Sequence, residues 1–358
     1  MSVGGPTLCP RGGESTVTTI ERPAQDDFLA LAQPYRRELL AHCYRMLGSV
    51  HDAEDVLQET MVRAWRAYDR FEGRSSLRTW LHRIATTTSL TALEGRSRRP
   101  MPAGLHGTGS DPDDPLRDNP EIAWLEPVPD SAVCPDSGAD PAAVVDARAG
   151  VRLAFVAALQ HLPARQRAVL LLREVLQWKA SEVAELLDTS VAAVNSALQR
   201  ARAQIQEAAP TRDDAPEPLT AAQQDLLDRY VAAFEVKDVS GIVALLAADV
   251  AWEMPPFESW YRGRAHVAQH LEHRCPGGPG DFRLLPVGAN GQPGFALYLR
   301  GDDGAFHPFC LQVLTFTGAD VTHVATFLDL DLFPVFGLPG SLTLTGPSAR
   351  PTGSAATR

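Results

Sequence analysis

Apolar residues return every three or four positions through the first hundred residues, the spacing of buried helix faces. Phe28, Leu31, Leu39, Tyr44 and Leu47 trace one such face over Phe28 to Leu47, until Gly48 and Ser49 break it. A second helix is expected from about His51 to Tyr68, with Ala53, Val56, Leu57, Met61, Ala64 and Tyr68 turned inward. Asp52, Asp55 and Glu59 then share another face, and Arg63 follows Glu59 one turn later. After the loop Phe71 to Ser76, a third helix begins at Leu77 and ends in Arg96, Arg98 and Arg99, where Pro100 stops it. The helical period resumes over Val151 to Leu159, Arg165 to Leu176, Ser181 to Leu187 and Val191 to about Glu207. In the last of these, Val191, Val194, Leu198, Ala201 and Ile205 are expected to pack inward.

Past Leu219 the pattern changes. Thr220 is placed to cap a helix from Ala221 to Lys237, followed by a short one around Ile242 to Leu246. Asp249 to Met254 reads as a strand, Ala265 to Arg274 as a helix, and Phe282 to Val287, Gly294 to Arg300, Phe306 to Phe316 and Val321 to Phe327 as further strands. Leading helices before an antiparallel strand series indicate an α+β domain.

Composition divides the chain at the same places. The 358 residues carry a net charge of −11, which by itself argues against a general nucleic-acid coat protein. That charge is not evenly spread: residues 26–100 are +2, 101–147 are −9, 148–208 are +3 and 209–358 are −7. Two mildly basic helical segments are thus separated by an acidic linker and followed by an acidic domain. The linker, rich in Pro, Gly and Asp, holds one apolar island, Ile122 to Leu125, read as a docking patch for another part of the chain. A hinge with Pro210, Pro216 and Pro218 follows, and tails at 1–25 and 340–358 are expected to be disordered. No apolar run approaches the roughly 20 residues of a membrane span. Five scattered cysteines without a CxxC suggest neither a disulfide framework nor a metal site, so a cytoplasmic protein without a cofactor is expected.

Two segments carry chemistry suited to DNA. Arg74, Ser75, Arg78, Trp80 and Arg83 mix cations with an aromatic ring and hydroxyls, groups that neutralise phosphates and stack on unpaired bases. The helix opened by Ser190 presents Ala192, Asn195, Ser196, Gln199, Arg200 and Arg202 opposite its apolar stripe. With the short helix before it and Lys179 nearby, this is a helix-turn-helix pattern whose second helix enters the major groove. Asn and Gln suit adenine edges, while Arg and Lys suit phosphates.

The run Asp52 to Trp65, with Phe71 to Ala85, closely resembles region two of sigma-70 family RNA polymerase sigma factors of the extracytoplasmic-function type. Leu162 to Arg173, Ala184 to Leu187 and Val194 to Arg202 resemble region four of the same family. The resemblance implies that Asp52, Asp55, Gln58, Glu59 and Arg63 bind the β′ clamp helices of core polymerase, and that region four meets the β flap. It implies that Arg74, Ser75, Arg78, Trp80 and Arg83 act on the minus-ten promoter element. It also implies that Lys179, Ser190, Ala192, Asn195, Ser196, Gln199, Arg200 and Arg202 act on the minus-thirty-five element. Asp249 to Pro256, Trp260 to Gly263 and Phe333 to Pro339 resemble a SnoaL-like domain with a cone-shaped fold.

The expected architecture is multidomain: an all-α sigma region two at 26–100, a linker at 101–147, an all-α region four at 148–208 and an α+β SnoaL-like domain at 219–339. The expected function is transcription initiation, modulated in cis by the third domain, with room for a small-molecule ligand there. The alternative is a small-molecule enzyme with a DNA-binding appendage. Its candidate groups are Asp249, Glu253, His266, His273, His307, His323 and Asp329, none in a spacing that dictates chemistry.

Overall fold

A computed structural model describes residues 28–105, 107–134, 147–208 and 219–343. The tails at 1–25 and 344–358 and the hinge prolines lie outside the described residues. The first helical body is α1 (Phe28–Ala32), α2 (Arg36–Leu47), α3 (Val50–Ala67) and α4 (Leu77–Ala92). The single helix expected over 28–47 is broken into α1 and α2 by a 3-10 turn, Gln33–Tyr35. Pro34 causes this, because it lacks the N–H that a continuous helix needs. Ser49 and Ser76 cap α3 and α4 by accepting the amides of Asp52 and Thr79, each at 3.1 Å. Gly48 ends α2 with φ +72°, and a Cβ there would meet Gln160 at 2.9 Å and Leu125 at 3.0 Å. The position needs glycine both for its conformation and for the approach of the linker and second helical body.

The linker adds a turn of helix, α5 (Asp130–Val133), and the second body follows with α6 (Leu153–Gln160), α7 (Ala164–Leu170), α8 (Ala180–Leu186) and α9 (Val191–Ala208). A π turn, Leu171–Val175, extends α7 where a regular helix was expected. Between α8 and α9, Asp188 takes φ +48°, giving the tight turn, and Ser190 caps α9 through the Ala193 amide at 3.1 Å. Val194, Leu198 and Ala201 are buried as expected, but Val191 is 44% exposed. It occupies the first turn of α9, ahead of the packed part of the stripe.

The third domain contains α10 (Ala221–Glu235), α11 (Val239–Ala244), β1 (Leu246–Glu253), β2 (Trp260–Arg262), α12 (Arg264–His273), β3 (Phe282–Ala289), β4 (Gln292–Arg300), β5 (Phe306–Thr317), β6 (Asp320–Phe327) and α13 (Leu332–Val335). The sheet order is β2-β1-β6-β5-β4-β3. The sheet is mixed rather than wholly antiparallel, because β1 and β6 run parallel. A chain that returns from the far edge to the centre through β6 reaches β1 in the same direction. The short β2 was not expected; at three residues it has too little pattern to read. Its concave side is filled by Tyr230, Phe234, Trp252, Phe282, Phe295 and Leu314.

The other side of the sheet joins the helical bodies. Ala296, Tyr298, Leu311, Val313, Ala325 and Phe327 belong to one apolar core with Leu39, Tyr44, Leu57, Leu159 and Leu171. Part of the C-terminal stretch expected to be disordered also contributes: Leu342 pairs with Phe306 through two backbone hydrogen bonds of 2.8 Å. The linker docks at both ends. Ser110 N donates to Trp260 O on the edge strand at 2.7 Å, and Leu116 packs on the third domain's core. Trp124 is buried, and Leu125 and Val128 pack into the core shared with the helical bodies. The docking patch is real but lies further along than expected, since Ala123 is exposed and Pro127 to Pro129 are buried.

His42, His82 and His270 are buried, and burial holds each imidazole below its ordinary value of 6.5, His270 at about 4. Unfolded, they take up protons from about pH 6.5 downward; folded, they stay neutral. Stability that is complete above the unfolded value is therefore lost as pH falls toward the folded values, by up to about 1.4 kcal/mol per group and pH unit. The melting temperature should drop between about pH 7.5 and about pH 5.5, and His42→Gln and His82→Gln should each flatten that slope. A slope unchanged in both variants would contradict this account.

Candidate nucleic-acid interface

The outer face of α9 is free. Ala192, Asn195, Ser196, Gln199, Arg200 and Arg202 are exposed along it, opposite the buried Val194, Leu198 and Ala201. Arg202 Nε donates to Glu174 at 3.1 Å. Lys179 is exposed at the start of α8, where its amide donates to Glu182 at 2.7 Å. Ser190 is exposed too, with its hydroxyl engaged as the cap. These eight candidates lie on the helix-turn-helix unit, with side chains of the length and polarity that major-groove edges and phosphates accept.

The second group surrounds the N-terminus of α4. Arg74 is 86% exposed and pairs with Glu72 at 2.6 Å, and Arg78 Nε donates to Glu38 at 2.9 Å. Trp80 is half-buried: its ring lies 4.8 Å from Phe71 and 6.4 Å from Tyr68. The ring thus belongs partly to an aromatic cluster that also shapes the loop containing Ser75. Arg83 reaches out of this body altogether. Its Nη2 donates to Glu185 Oε1 on α8 at 2.7 Å. Both candidate DNA-reading units therefore touch.

The third group is on α3. Asp55, Gln58, Glu59 and Arg63 are exposed on one side, with Glu59 and Arg63 paired at 2.6 Å. Asp52 is set apart from them. It accepts from Arg96 at 2.7 Å and from Arg99 at 2.6 Å. Burial would raise its carboxyl, but the bonds and charge from Arg99 and Arg96 outweigh that and hold it below the usual carboxylate value. Val62 and Trp65, 40% and 41% exposed, stand among the polar residues of this face. They were passed over in the sequence; large apolar groups off the buried stripe were the available signal.

The candidate chemical groups of the third domain are dispersed. Asp249, His266 and His273 are exposed, His307 pairs with Asp303 at 3.0 Å, and Asp329 accepts the Asp331 amide at 3.0 Å. Glu253 and His323 do meet, at 2.8 Å. In register they sit with Ala325 on the side turned away from the cone, and Glu253 also accepts the linker amide of Ala103 at 2.9 Å. This pair ties the sheet to the linker. It does not face an apolar chamber as acid–base chemistry on a bound substrate requires.

What positions the two reading units is the β3–β4 turn, Asn290-Gly291. Such a turn is ordinarily a hairpin tip in solvent. Here Asn290 is fully buried with φ +57°. Its Nδ2 donates to Tyr44 Oη and to Val151 O, each at 2.7 Å, and its Oδ1 accepts the Val128 amide at 3.0 Å. Gly291 N donates to Asp130 at 2.6 Å, and Gln292 Oε1 accepts the Leu153 amide at 3.1 Å, satisfying an otherwise open donor at the start of α6. One turn of the third domain thus joins the first helical body, the linker and the second helical body.

Models of sigma-70 region 2, sigma-70 region 4 and a SnoaL-like domain match residues 31–99, 152–205 and 227–327. The chain is 56% identical over 318 residues to the ECF RNA polymerase sigma factor SigG of Mycobacterium tuberculosis, across 88% of this chain and 85% of that one. It is 29% identical over 217 residues to SigJ of the same organism, across 61% of each. The crystal structure of Mycobacterium tuberculosis SigJ has the same fold, with a TM-score of 0.58 at 24% identity over 87% of this chain and 100% of that one. With both sigma regions in order and a relative this similar along most of its length, the chain belongs to the extracytoplasmic-function sigma factors of RNA polymerase and carries a SnoaL-like domain behind region 4.

Proposed function

We propose that the arrangement described is a closed state of this sigma factor, in which the SnoaL-like domain holds regions 2 and 4 together until polymerase and promoter draw them apart. As a sigma factor the chain binds core polymerase and promoter DNA and starts transcription. In this reading Asp52, Asp55, Gln58, Glu59 and Arg63 dock on the β′ clamp helices, with Val62 and Trp65 adding apolar contact, and region 4 docks on the β flap. Arg74, Ser75, Arg78, Trp80 and Arg83 open and read the minus-ten element. Lys179, Ser190 and the α9 face from Ala192 to Arg202 read the minus-thirty-five element. These partners place its work in the cytoplasm.

The observation that carries the closed state is the Arg83–Glu185 contact of 2.7 Å. The two promoter elements are separated by about 25 base pairs, roughly 85 Å along the duplex. Side chains in direct contact cannot each sit on its own element across that length. Promoter engagement therefore requires the seam between regions 2 and 4, and the Asn290 joint behind it, to open.

Glu185→Lys sets like charges against each other at an exposed position. It should raise promoter-dependent transcription with core enzyme by roughly two- to fivefold, the scale of a surface ion pair. Gly291→Ala should raise it further, because a Cβ there meets the Arg148 backbone oxygen at 2.8 Å and the φ of +68° disfavours it. Energy transfer between dyes at positions 62 and 191 should fall in both variants. Unchanged transcripts together with unchanged transfer would sink the closed-state reading.

Asn195→Ala and Gln199→Ala test the reading face. Each should weaken holoenzyme binding to a promoter by about 1–3 kcal/mol and relax base preference within the minus-thirty-five element, leaving the minus-ten element alone. Uniform binding across altered minus-thirty-five sequences, before and after substitution, would remove α9 from that role.

A further inference from the structure

We infer that Glu38, Glu72, Glu174 and Glu185 are specificity-determining residues of this sigma factor. Each seats its carboxylate on an arginine of the DNA-reading set, in the place a phosphate would take, and so holds down binding to DNA that lacks a promoter. This role rests on the reading of Arg74, Arg78, Arg83 and Arg202 as DNA contacts and is independent of closure.

Arg74 pairs with Glu72 at 2.6 Å and Arg83 with Glu185 at 2.7 Å. Arg78 meets both oxygens of Glu38, with Nε 2.9 Å from Oε2 and Nη2 on Oε1. Arg202 directs Nε, at 3.1 Å, and Nη2 onto Glu174 Oε1. Three of these four pairs join separate elements. Glu38 is in the first turn of α2 and Arg78 opens α4, 40 positions on. Glu174 lies in the π turn and Arg202 on α9, 28 positions on, while Glu185 on α8 and Arg83 on α4 are 102 positions apart. It is the fold, not helical spacing, that brings each of these acids to its arginine. A guanidinium fork takes a carboxylate or a phosphate with the same nitrogen atoms, so one excludes the other.

Glu38 shows how the charge is kept available. Its Oε1 lies 3.4 Å from Nε2 of the buried His82. Burial holds that imidazole below its ordinary value, so at neutral pH it is uncharged and leaves the carboxylate to Arg78. The pairs lie at or near the surface, which makes each a weak, salt-screened competitor. Weak competition acts unequally. Stray duplex offers chiefly phosphates, and every arginine it recruits must first release a carboxylate. A promoter held by polymerase adds base contacts, so the same displacement is a smaller part of its binding. In the two helical regions, whose net charges are only +2 and +3, basic charge is thus neutralised at the reading arginines themselves.

The test is fluorescence anisotropy of the full chain, without polymerase, on a duplex lacking both promoter elements, at about 50 mM and about 200 mM salt. Glu38→Gln and Glu174→Gln should each tighten binding by about two- to fivefold at the lower salt, with most of the gain lost at the higher. Adding Glu38→Gln to Arg78→Gln, or Glu174→Gln to Arg202→Gln, should bring no gain, because the effect acts through the paired arginine. A gain that persists without the arginine reports only the loss of a negative charge and overturns the role. Unchanged binding in both glutamate variants, or no binding by any of these chains, overturns it too; a gain at one pair alone overturns it for the other. Holoenzyme binding to a promoter duplex should change by less than about twofold, and a gain there as large as on stray duplex removes the specificity role. If Arg78→Gln and Arg202→Gln do not weaken binding by the glutamate variants, these arginines are not DNA contacts and the reading beneath the role fails. Arginine-dependent binding without a glutamate effect removes the role alone.

Discussion

Asn290 directs both hydrogens of its side-chain amide and its carbonyl oxygen into three other parts of the chain. A buried amide left without partners is costly, by about 1–3 kcal/mol for each group orphaned. The hairpin tip therefore stays buried only while region 2, the linker and the start of region 4 all converge on it. Remove any one of the three and the other two lose their reason to hold the turn. The joint is also stiff at its base: Tyr44, which accepts from Asn290, donates to Glu126 O at 2.7 Å, and Asn290 N donates to Val128 O at 2.9 Å. A few kcal/mol concentrated at one point is a large share of a domain's net stability, yet within reach of a tightly binding partner.

The seam between the sigma regions is built in keeping with that. Arg45 and Arg167 are buried across it, and burial brings both guanidinium groups down to about 10. Their partners are mostly backbone carbonyls rather than carboxylates: Arg45 donates to Gly150 O at 2.7 Å, and Arg167 to Met46 O, Leu162 O and, at 2.7 Å, the side chain of Gln160. A cation desolvated without a counter-charge gains less from burial than an apolar group of the same size would. Such a seam is held by geometry and hydrogen bonds that water replaces on opening, so separating the regions exposes groups that hydrate well.

Much of this was legible in the sequence because it is local. Helices α3, α4 and α9 follow from stripes three and four residues apart, and the caps at Ser190 and Thr220 from hydroxyls at the right offsets. The helix-turn-helix face, Asn195 to Arg202, is the complement of its own buried stripe. What was not legible depends on distant partners. Asn290-Gly291 reads as an exposed turn, and nothing nearby tells that Tyr44, 246 residues away, meets its amide. Val62 and Trp65 lie off the buried stripe of α3, so their exposure could be read from the pattern, but the surface they meet could not. The parallel pairing of β1 with β6 is decided by chain return across the sheet, which strand periodicity does not encode. Even Trp124, rightly suspected, belongs to a patch whose extent was set by the surface it meets.

Closure leaves the candidate surfaces uncovered and acts on their separation. The α9 face is exposed, and so are Asp55, Gln58, Glu59 and Arg63 on α3. Neither is masked by the third domain, and the acidic linker, which carries most of the opposing charge, is tied along β2 and α12 instead, through Ser110, Asp113 and Asn119. A surface that is not hidden does not need to be unmasked before its partner arrives. What the proposed closed state forbids is simultaneous use of both reading regions, because Arg83 and Glu185 hold them side by side. On the proposed reading, polymerase docking on α3 is compatible with that contact; engagement of two elements roughly 85 Å apart is not. On the proposed reading, the energetic cost of closure therefore falls on the second promoter contact rather than on the first encounter.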